Sequence, residues 1–506
     1  MPFSFQLQHG SASAGVVFRA RVGYHNIMRL LPLILSIVLL SSCAENPVTK
    51  TKELMVFSEA DEKRFGKSLD EEIRSRFGLY EDLSLKRYIE RVGRRLASVS
   101  HRPHLDFTFE VVDSDEVNAF ALPGGFVYVT RGILCYLNNE AQLAGVLGHE
   151  IGHVSYRHSM KTLQANIGAN ILLNIIALGT GSQFWVQVSD ISLAAIMAGY
   201  SREYEYQADN LSVEYALRAG YDPYAIRDFL ATIEKMEAGR SGPLVGIFAD
   251  HPLTAKRVRN VEERIREREG EVKGKRLLLN EEEYLSTIEG LPLRRKRGWV
   301  KEKREMRHGE TGLAVPCVSG FVYEKGSNPD ELLIYDIRGG FAIEVLPIKG
   351  KAPLRGGIEE FERRKGLKKK VSMGFFSQEK AIPLCSYVVN GEEVKVAYLD
   401  FFPHTLAISF VERSFSRGRL LFDELVGKAR RLREEEASGY REERIRLYEL
   451  KWDMTLKELL ASMKGAADDR LLKRICLLNG LTEDRLLRQG KKVKLIVGGE
   501  GLSELD

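Results

Sequence analysis

A chain of 506 residues is long enough to build several domains with ample core. Its 75 Lys plus Arg against 70 Asp plus Glu leave a formal charge of +5, and loss of Arg19, Arg21 and Arg29 with a leader would leave 72 against 70. A near-neutral chain gives no electrostatic case for a nucleic-acid partner. The first patterned stretch is Met28-Arg29 followed by an eleven-residue apolar run, Leu30 to Leu40, that ends in Leu40-Ser41-Ser42-Cys43. Such a run is too short to span a bilayer, so it predicts a secretory signal. Residues 1–27 contain no recognisable element, and either Met1 or Met28 could begin the chain.

The residues before Cys43 resemble a bacterial lipobox, which implies cleavage before Cys43 and diacylation of its thiol. Residue 44 is Ala rather than Asp, which by resemblance to lipoprotein sorting favours the outer membrane. Charged amphipathic helices are expected over Ser58 to Phe77 and Leu83 to Ser98. Strands are expected over Leu105 to Val112 and Phe126 to Thr130, the second entered through Pro123-Gly124-Gly125. Then Leu143, Val146, Leu147, Ile151 and Val154 recur at steps of three and four, which predicts an amphipathic helix capped by Asn139. On that helix His149 and His153 stand one above the other and can reach a single Zn²⁺. Glu150 sits beside the open coordination position, as the carboxylate that would deprotonate an attacking water. A metzincin-type third histidine is excluded, because Tyr156 and Ser159 stand where Gly and His are required, and His158 is expected to point off the ligand face.

Farther on, Ile167 to Leu178 and Phe184 to Gly199 are apolar but interrupted by polar residues, so they read as buried or membrane-facing amphipathic helices. The next stretch, Ser201 to Asp209, puts Glu205 and Asp209 on one helix face at i, i+4. Glu205 would complete a His₂Glu site, and Asp209 could orient a ligand histidine.

At these residues the chain resembles the CAAX-prenyl-protease-like zinc metallopeptidases, specifically their periplasmic, lipoprotein-type bacterial members. Four signatures carry the resemblance: Asn118 to Gly125 followed by Val129-Thr130-Arg131-Gly132; the His149-Glu150-Ile151-Gly152-His153 helix; Ser201 to Asp209; and His251-Pro252 with Arg257. It implies a mostly helical zincin-type domain with a small sheet and one Zn²⁺ per chain, held by His149, His153 and Glu205. It also implies that Asn118 and Ala119 lie on a strand edge that holds extended substrate through main-chain bonds. The loop carrying His251 would border the active site. His251 is then a catalytic candidate as donor to the tetrahedral oxyanion, or else a plug on the open zinc position; Arg257 is a further catalytic candidate.

Arg294 to Arg307 is basic and reads as a solvated linker, with a patch for nucleic acid or lipid headgroups as the alternative. From Leu313 to about Glu436 short strand-like runs, an Asn390-Gly391 hairpin and a long closing helix predict a small α+β domain without a catalytic constellation. Within it Cys317 and Cys385 either pair in an oxidising compartment or stay free. The last segment resembles a LysM-type module, although Met454 stands where that module has Asp.

The expected organisation is a leader and signal peptide over 1–42, a zinc metallopeptidase domain over 43–290, a basic linker over 291–311, an α+β domain over 312–436 and a LysM-like segment over 437–506. The fold class is α+β. The expected function is a zinc endopeptidase in the periplasm, tethered to the outer membrane through lipid on Cys43. Its partners would be unfolded or misassembled envelope proteins, which it would hydrolyse as quality control, with peptidoglycan as a further candidate partner and no nucleic acid. Two other readings stand beside it: a chaperone or assembly scaffold for outer-membrane proteins with a latent protease site, and a peptidoglycan-tethered binding protein.

Overall fold

The computed structural model describes residues 43–166, 199–238, 255–294, 298–326, 330–336, 342–349, 354–367, 370–377, 382–401, 403–411, 416–438, 440, 442–463, 469–499 and 501–502. The expected signal peptide, the apolar stretch over 167–198 and the loop with His251 lie outside these residues.

The chain opens with a short hairpin, β1 (Cys43–Glu45) and β2 (Lys52–Leu54). Helix α1 (Glu59–Phe77) starts at a reciprocal capping box between Ser58 and Asp61, and α2 (Leu83–Ala97) starts where Asp82 accepts from the Ser84 and Leu85 amides. The strands β3 (Thr108–Val112), β4 (Ala119–Leu122) and β5 (Phe126–Thr130) form a sheet in the order β3-β5-β4. β5 is central, and β4 forms one edge, antiparallel to β5 with Ala119 opposite Val129. Gly124 (φ 81°) and Gly125 (φ 99°) make the turn between β4 and β5 in the left-handed region that side chains avoid.

The helical half follows: α3 (Arg131–Tyr136), α4 (Glu140–Tyr156), α5 (His158–Asn166), α6 (Arg202–Arg218), α7 (Tyr224–Ala238), α8 (Ala255–Glu267) and α9 (Glu281–Ile288). Helices α4 and α6 form the central pair. Their close approach is written in small residues: a Cβ on Gly152 would lie 3.2 Å from the Ala208 Cα, and one on Gly148 3.4 Å from the Ser212 Cα. The Ser212 hydroxyl donates to the Gly145 carbonyl at 2.6 Å, so the helices are also joined by hydrogen bonding.

Residues 291–311, expected as a linker, instead carry strands. β6 (Pro292–Arg294), β7 (Trp299–Glu302) and β8 (Glu305–His308) are drawn into sheets because Trp299, Met306, Leu291 and Leu293 are buried among the basic residues. β7 and β8 join β9 (Leu313–Pro316) and, farther along, β17 (Arg430–Arg431) in the order β17-β9-β8-β7. A seven-stranded antiparallel sheet follows, built from β10 (Phe321–Lys325), β11 (Leu332–Asp336), β12 (Ala342–Lys349), β13 (Lys370–Ser377), β14 (Ile382–Val389), β15 (Glu392–Phe401) and β16 (His404–Val411). Helix α10 (Arg355–Arg364) covers one face through Ile358 and Phe361, and α11 (Ser416–Lys428) covers the other through Leu421, Phe422 and Leu425. The Asn390-Gly391 turn has positive φ at both residues and joins β14 to β15 as the sequence predicts. Cys317 and Cys385 are free thiols, which removes the pairing alternative.

The chain closes as β18 (Glu443–Glu449), α12 (Leu456–Ser462), α13 (Asp469–Asn479) and β19 (Lys492–Val497). β18 pairs with β19 on one side and with β6 on the other. This βααβ unit shares one apolar core with the helical half, where Ile475, Leu478 and Leu495 join Leu134, Leu137 and Phe229. Among the described residues no helix is long and apolar enough to cross a membrane.

Candidate metal centre

Helix α4 begins where the Asn139 side chain accepts from the Gln142 amide, and it ends at Arg157, which takes a left-handed φ of 60°. That terminus is fixed from outside: Arg157 Nε donates to Glu62 Oε2 at 3.0 Å, and Arg102 Nη1 donates to the Val154 carbonyl at 3.0 Å. A helix pinned at both ends holds its ligand side chains in a set direction.

His149 and His153 bring their Nε2 atoms to 3.1 Å of one another. From α6, the two Glu205 carboxylate oxygens approach to 3.5 Å, one to each histidine Nε2. The three residues offer donor atoms within 4.8 Å of one another, and all three are buried. Zinc bonds of about 2.0–2.1 Å in a tetrahedron separate neighbouring ligands by about 3.3–3.4 Å. The observed 3.1 and 3.5 Å bracket that spacing, so the donor set fits zinc. Glu150, 2% exposed, lies one residue along α4 from His149.

His149 Nδ1 stands 3.0 Å from Asp209 Oδ1, which keeps the imidazole proton on Nδ1 and turns the Nε2 lone pair toward the cluster. Asp209 is held in turn by Arg257, whose Nε and Nη2 donate at 2.8 and 2.7 Å, while Arg257 Nη1 reaches Glu205 at 2.7 Å. Burial alone would depress His149, but the Asp209 and Glu205 carboxylates outweigh it and lift its pKa to about 9. Burial would raise Asp209, yet Arg257 and His149 hold it below the usual carboxylate range. For His153 burial dominates and carries it well below the ordinary imidazole value, against the pull of Glu205.

A partly open cavity of about 40 Å³ adjoins the cluster. His149, Glu150, Asp209 and Arg257 form its polar side, and Ile133, Val146 and the α7 residues Ile226, Phe229, Leu230 and Ile233 form its apolar side. Ala119 also lines it, at the start of the edge strand β4. Asn118, beside it, is 2% exposed and is bonded through its main chain to Thr130: its amide donates to Oγ1 at 3.0 Å, and its carbonyl accepts from the Thr130 amide at 2.9 Å.

The geometry thus gathers His149, Glu150, His153, Glu205, Asp209, Arg257 and Ala119. Cys43 lies at the start of β1, and His251 is outside the described residues. Sequence reasoning missed two things. His158 does not point away from the ligands, since its Nδ1 stands 2.9 Å from His153 Nδ1. The signal was available in its distance of five positions beyond His153 across a helix end, where the chain turns and periodicity no longer fixes direction. Arg257, taken as a catalytic candidate, is engaged by Asp209 and Glu205 and so positions the ligands.

A buried His₂Glu cluster on paired helices, with a carboxylate next to the first histidine, is a donor set of the kind that metallopeptidases use. Residues 84–265 match the family model described as Peptidase family M48. The chain is similar to the Beta-barrel assembly-enhancing protease of Escherichia coli (strain K12), at 30% identity over 212 residues that make up 40% of this chain and 43% of that protein. The Mitochondrial metalloendopeptidase OMA1 of Schizosaccharomyces pombe is 29% identical over 43% of this chain and 65% of its own length. Metalloprotease YcaL of Escherichia coli (strain K12) is 29% identical over 34% of this chain and 70% of its own length. The chain thus spans less than half the length of the assembly-enhancing relative.

Proposed function

We propose that this chain is a zinc-dependent endopeptidase of the cell envelope that hydrolyses misfolded or stalled envelope proteins. The observation that carries the reading is the convergence of His149, His153 and Glu205 beside Glu150 and a cavity with an apolar wall. Zinc held there would polarise a scissile carbonyl and acidify water. Glu150 takes the proton of the attacking water and passes it to the leaving amine. Arg257 and Asp209 keep the first histidine and Glu205 in place. The main chain of β4 at Ala119 holds extended substrate, whereas Asn118, expected to share that task, has its amide and carbonyl taken by Thr130; the apolar wall from α7 takes a bulky apolar side chain flanking the scissile bond. Relatives named for β-barrel assembly support an envelope setting. Anchoring through lipid on Cys43 and a role for His251 at the site belong to the same proposal.

The test is elemental analysis of the purified chain together with cleavage of unfolded casein. One zinc per chain is expected, lost with His149→Ala, His153→Ala or Glu205→Ala. Glu150→Gln should keep the metal while turnover falls by about 10²- to 10⁴-fold. A zinc-free wild type, or full activity in Glu150→Gln, would overturn the proposal.

A second role is favoured by the βααβ unit, whose two loops expose Trp452 (58%) and Leu486 (57%). An exposed indole suits stacking on a sugar ring, so peptidoglycan is the proposed ligand. Co-sedimentation with purified peptidoglycan should fall with Trp452→Ala while casein cleavage is unchanged.

A further inference from the structure

We infer that His158 is a positioning residue that sets the tautomer of His153 through a one-way chain of hydrogen bonds running to Glu203. The inference rests on the reading of His153 as a zinc ligand.

The direction of the chain follows from its far end. Glu203 is a carboxylate and only accepts, and Gln207 Nε2 lies 3.0 Å from its Oε1, so the Gln207 amide nitrogen faces Glu203. The Gln207 carbonyl oxygen then faces His158 Nε2 at 3.0 Å, and because it can only accept, His158 Nε2 carries the proton. A neutral His158 therefore presents a bare Nδ1 to its other neighbour. That neighbour is His153 Nδ1, 2.9 Å away, which must donate. With its proton on Nδ1, His153 turns the Nε2 lone pair toward His149 and Glu205, the form a metal ligand requires.

Reversing the chain shows what is at stake. If His158 Nδ1 donated instead, His153 would carry its proton on Nε2, aimed into the cluster, and could hold no metal. The ring geometry guards against this. His158 is fully buried and stacks between Tyr204, with centroids 4.1 Å apart and planes 10° apart, and Tyr156, at 5.1 Å and 3°. Stacked on both faces, the ring keeps its plane, and both nitrogens keep their partners. His153 is braced in the same way against Tyr200, at 4.1 Å and 19°. The two histidines are thus oriented by different means: His149 by the Asp209 carboxylate directly, His153 by a neutral imidazole and an amide that end on an exposed Glu203.

The experiment measures zinc affinity of the metal-free, full-length chain by competition with a chromogenic chelator, with thermal unfolding of the same metal-free samples. His158→Phe keeps a ring to stack but offers no acceptor, and should weaken zinc binding by about 10- to 100-fold. His158→Asn places an amide oxygen where Nδ1 was and should recover most of that loss. Gln207→Leu should weaken binding in the wild-type background and add nothing in His158→Phe, because both act through one chain. If His158→Phe lowers the unfolding temperature but leaves zinc affinity at the wild-type value, or if Gln207→Leu adds its full effect in that background, the relay is overturned. Should His158→Phe not fold, unchanged affinity in Gln207→Leu alone overturns it. A wild type that binds no zinc would defeat the metal site itself, an outcome distinct from wild-type binding with indifferent variants.

Discussion

Two buried cations lie in different parts of this molecule and are treated in opposite ways. At the metal centre Arg257, 4% exposed, meets two carboxylates, and Asp209 takes two of its N–H groups. At the seam where β19 packs on α3, Lys494 is fully buried, and its ammonium donates at 2.7 Å to the carbonyl oxygens of Cys135 and Leu137. Among the described residues Lys494 forms no ion pair. The electrostatic results diverge accordingly. Burial would lower Arg257, but Asp209 and Glu205 raise it above its ordinary value. Burial lowers Lys494 to about 7, with little to oppose it. A charge buried with counter-charges holds a fixed arrangement, whereas a charge buried against neutral dipoles makes its contact conditional on protonation.

Breaking the paired site should have the larger effect. Arg257→Met removes the cation and leaves Asp209 and Glu205 buried together, at a cost of about 3–5 kcal/mol in the metal-free protein. Adding Asp209→Leu should return part of that stability, because the orphaned carboxylate goes with it. It should not return zinc affinity, since His149 then lacks the acceptor that directs its lone pair. Chemical unfolding and chelator competition on the same variants read the two quantities separately. A loss under about 1 kcal/mol for Arg257→Met would mean that the guanidinium is no structural counter-charge here.

The contrast between the two sites also marks what the sequence could convey. The metal centre was largely legible, because His149, His153, Glu205 and Asp209 each lie at i, i+4 on a helix, and helical geometry alone puts such residues on one face. The cap Asn139 and the Asn390-Gly391 turn were legible for the same local reason. Helical spacing pairs residues only within one helix; the joining of Glu205 to the histidines was implied by the resemblance, and most other meetings of distant segments could not be read. Residues 291–311 look solvated by charge, yet Trp299 and Met306 bury themselves against the later sheets. His158 lies past a helix end, so its direction is set by the left-handed turn at Arg157 and by Tyr204 from another helix. Lys494 reads as one more surface lysine in Lys491-Lys492-Val493-Lys494, and only the docking of the βααβ unit shows that it is enclosed.

The seam offers the smaller and sharper test. Free lysine titrates near 10.4, and in the unfolded chain Lys494 should do the same. With a folded value of about 7, the unfolded chain binds one more proton than the folded chain across the interval between them. Stability must then rise with pH in that window, by at most about 1.4 kcal/mol per unit. The contribution is complete above the unfolded value and is lost as pH falls to the folded one. Other groups titrate in the same range, so the informative quantity is the difference between wild type and Lys494→Met, which keeps the apolar stem and removes the amine. Between pH 7.5 and 9.5 that difference should climb in favour of the wild type, and it should level off below about pH 7. A flat difference across the whole range would show that the Cys135 and Leu137 carbonyls hold the ammonium charged. In that case the seam, for all its lack of carboxylates, would be as fixed as the paired site.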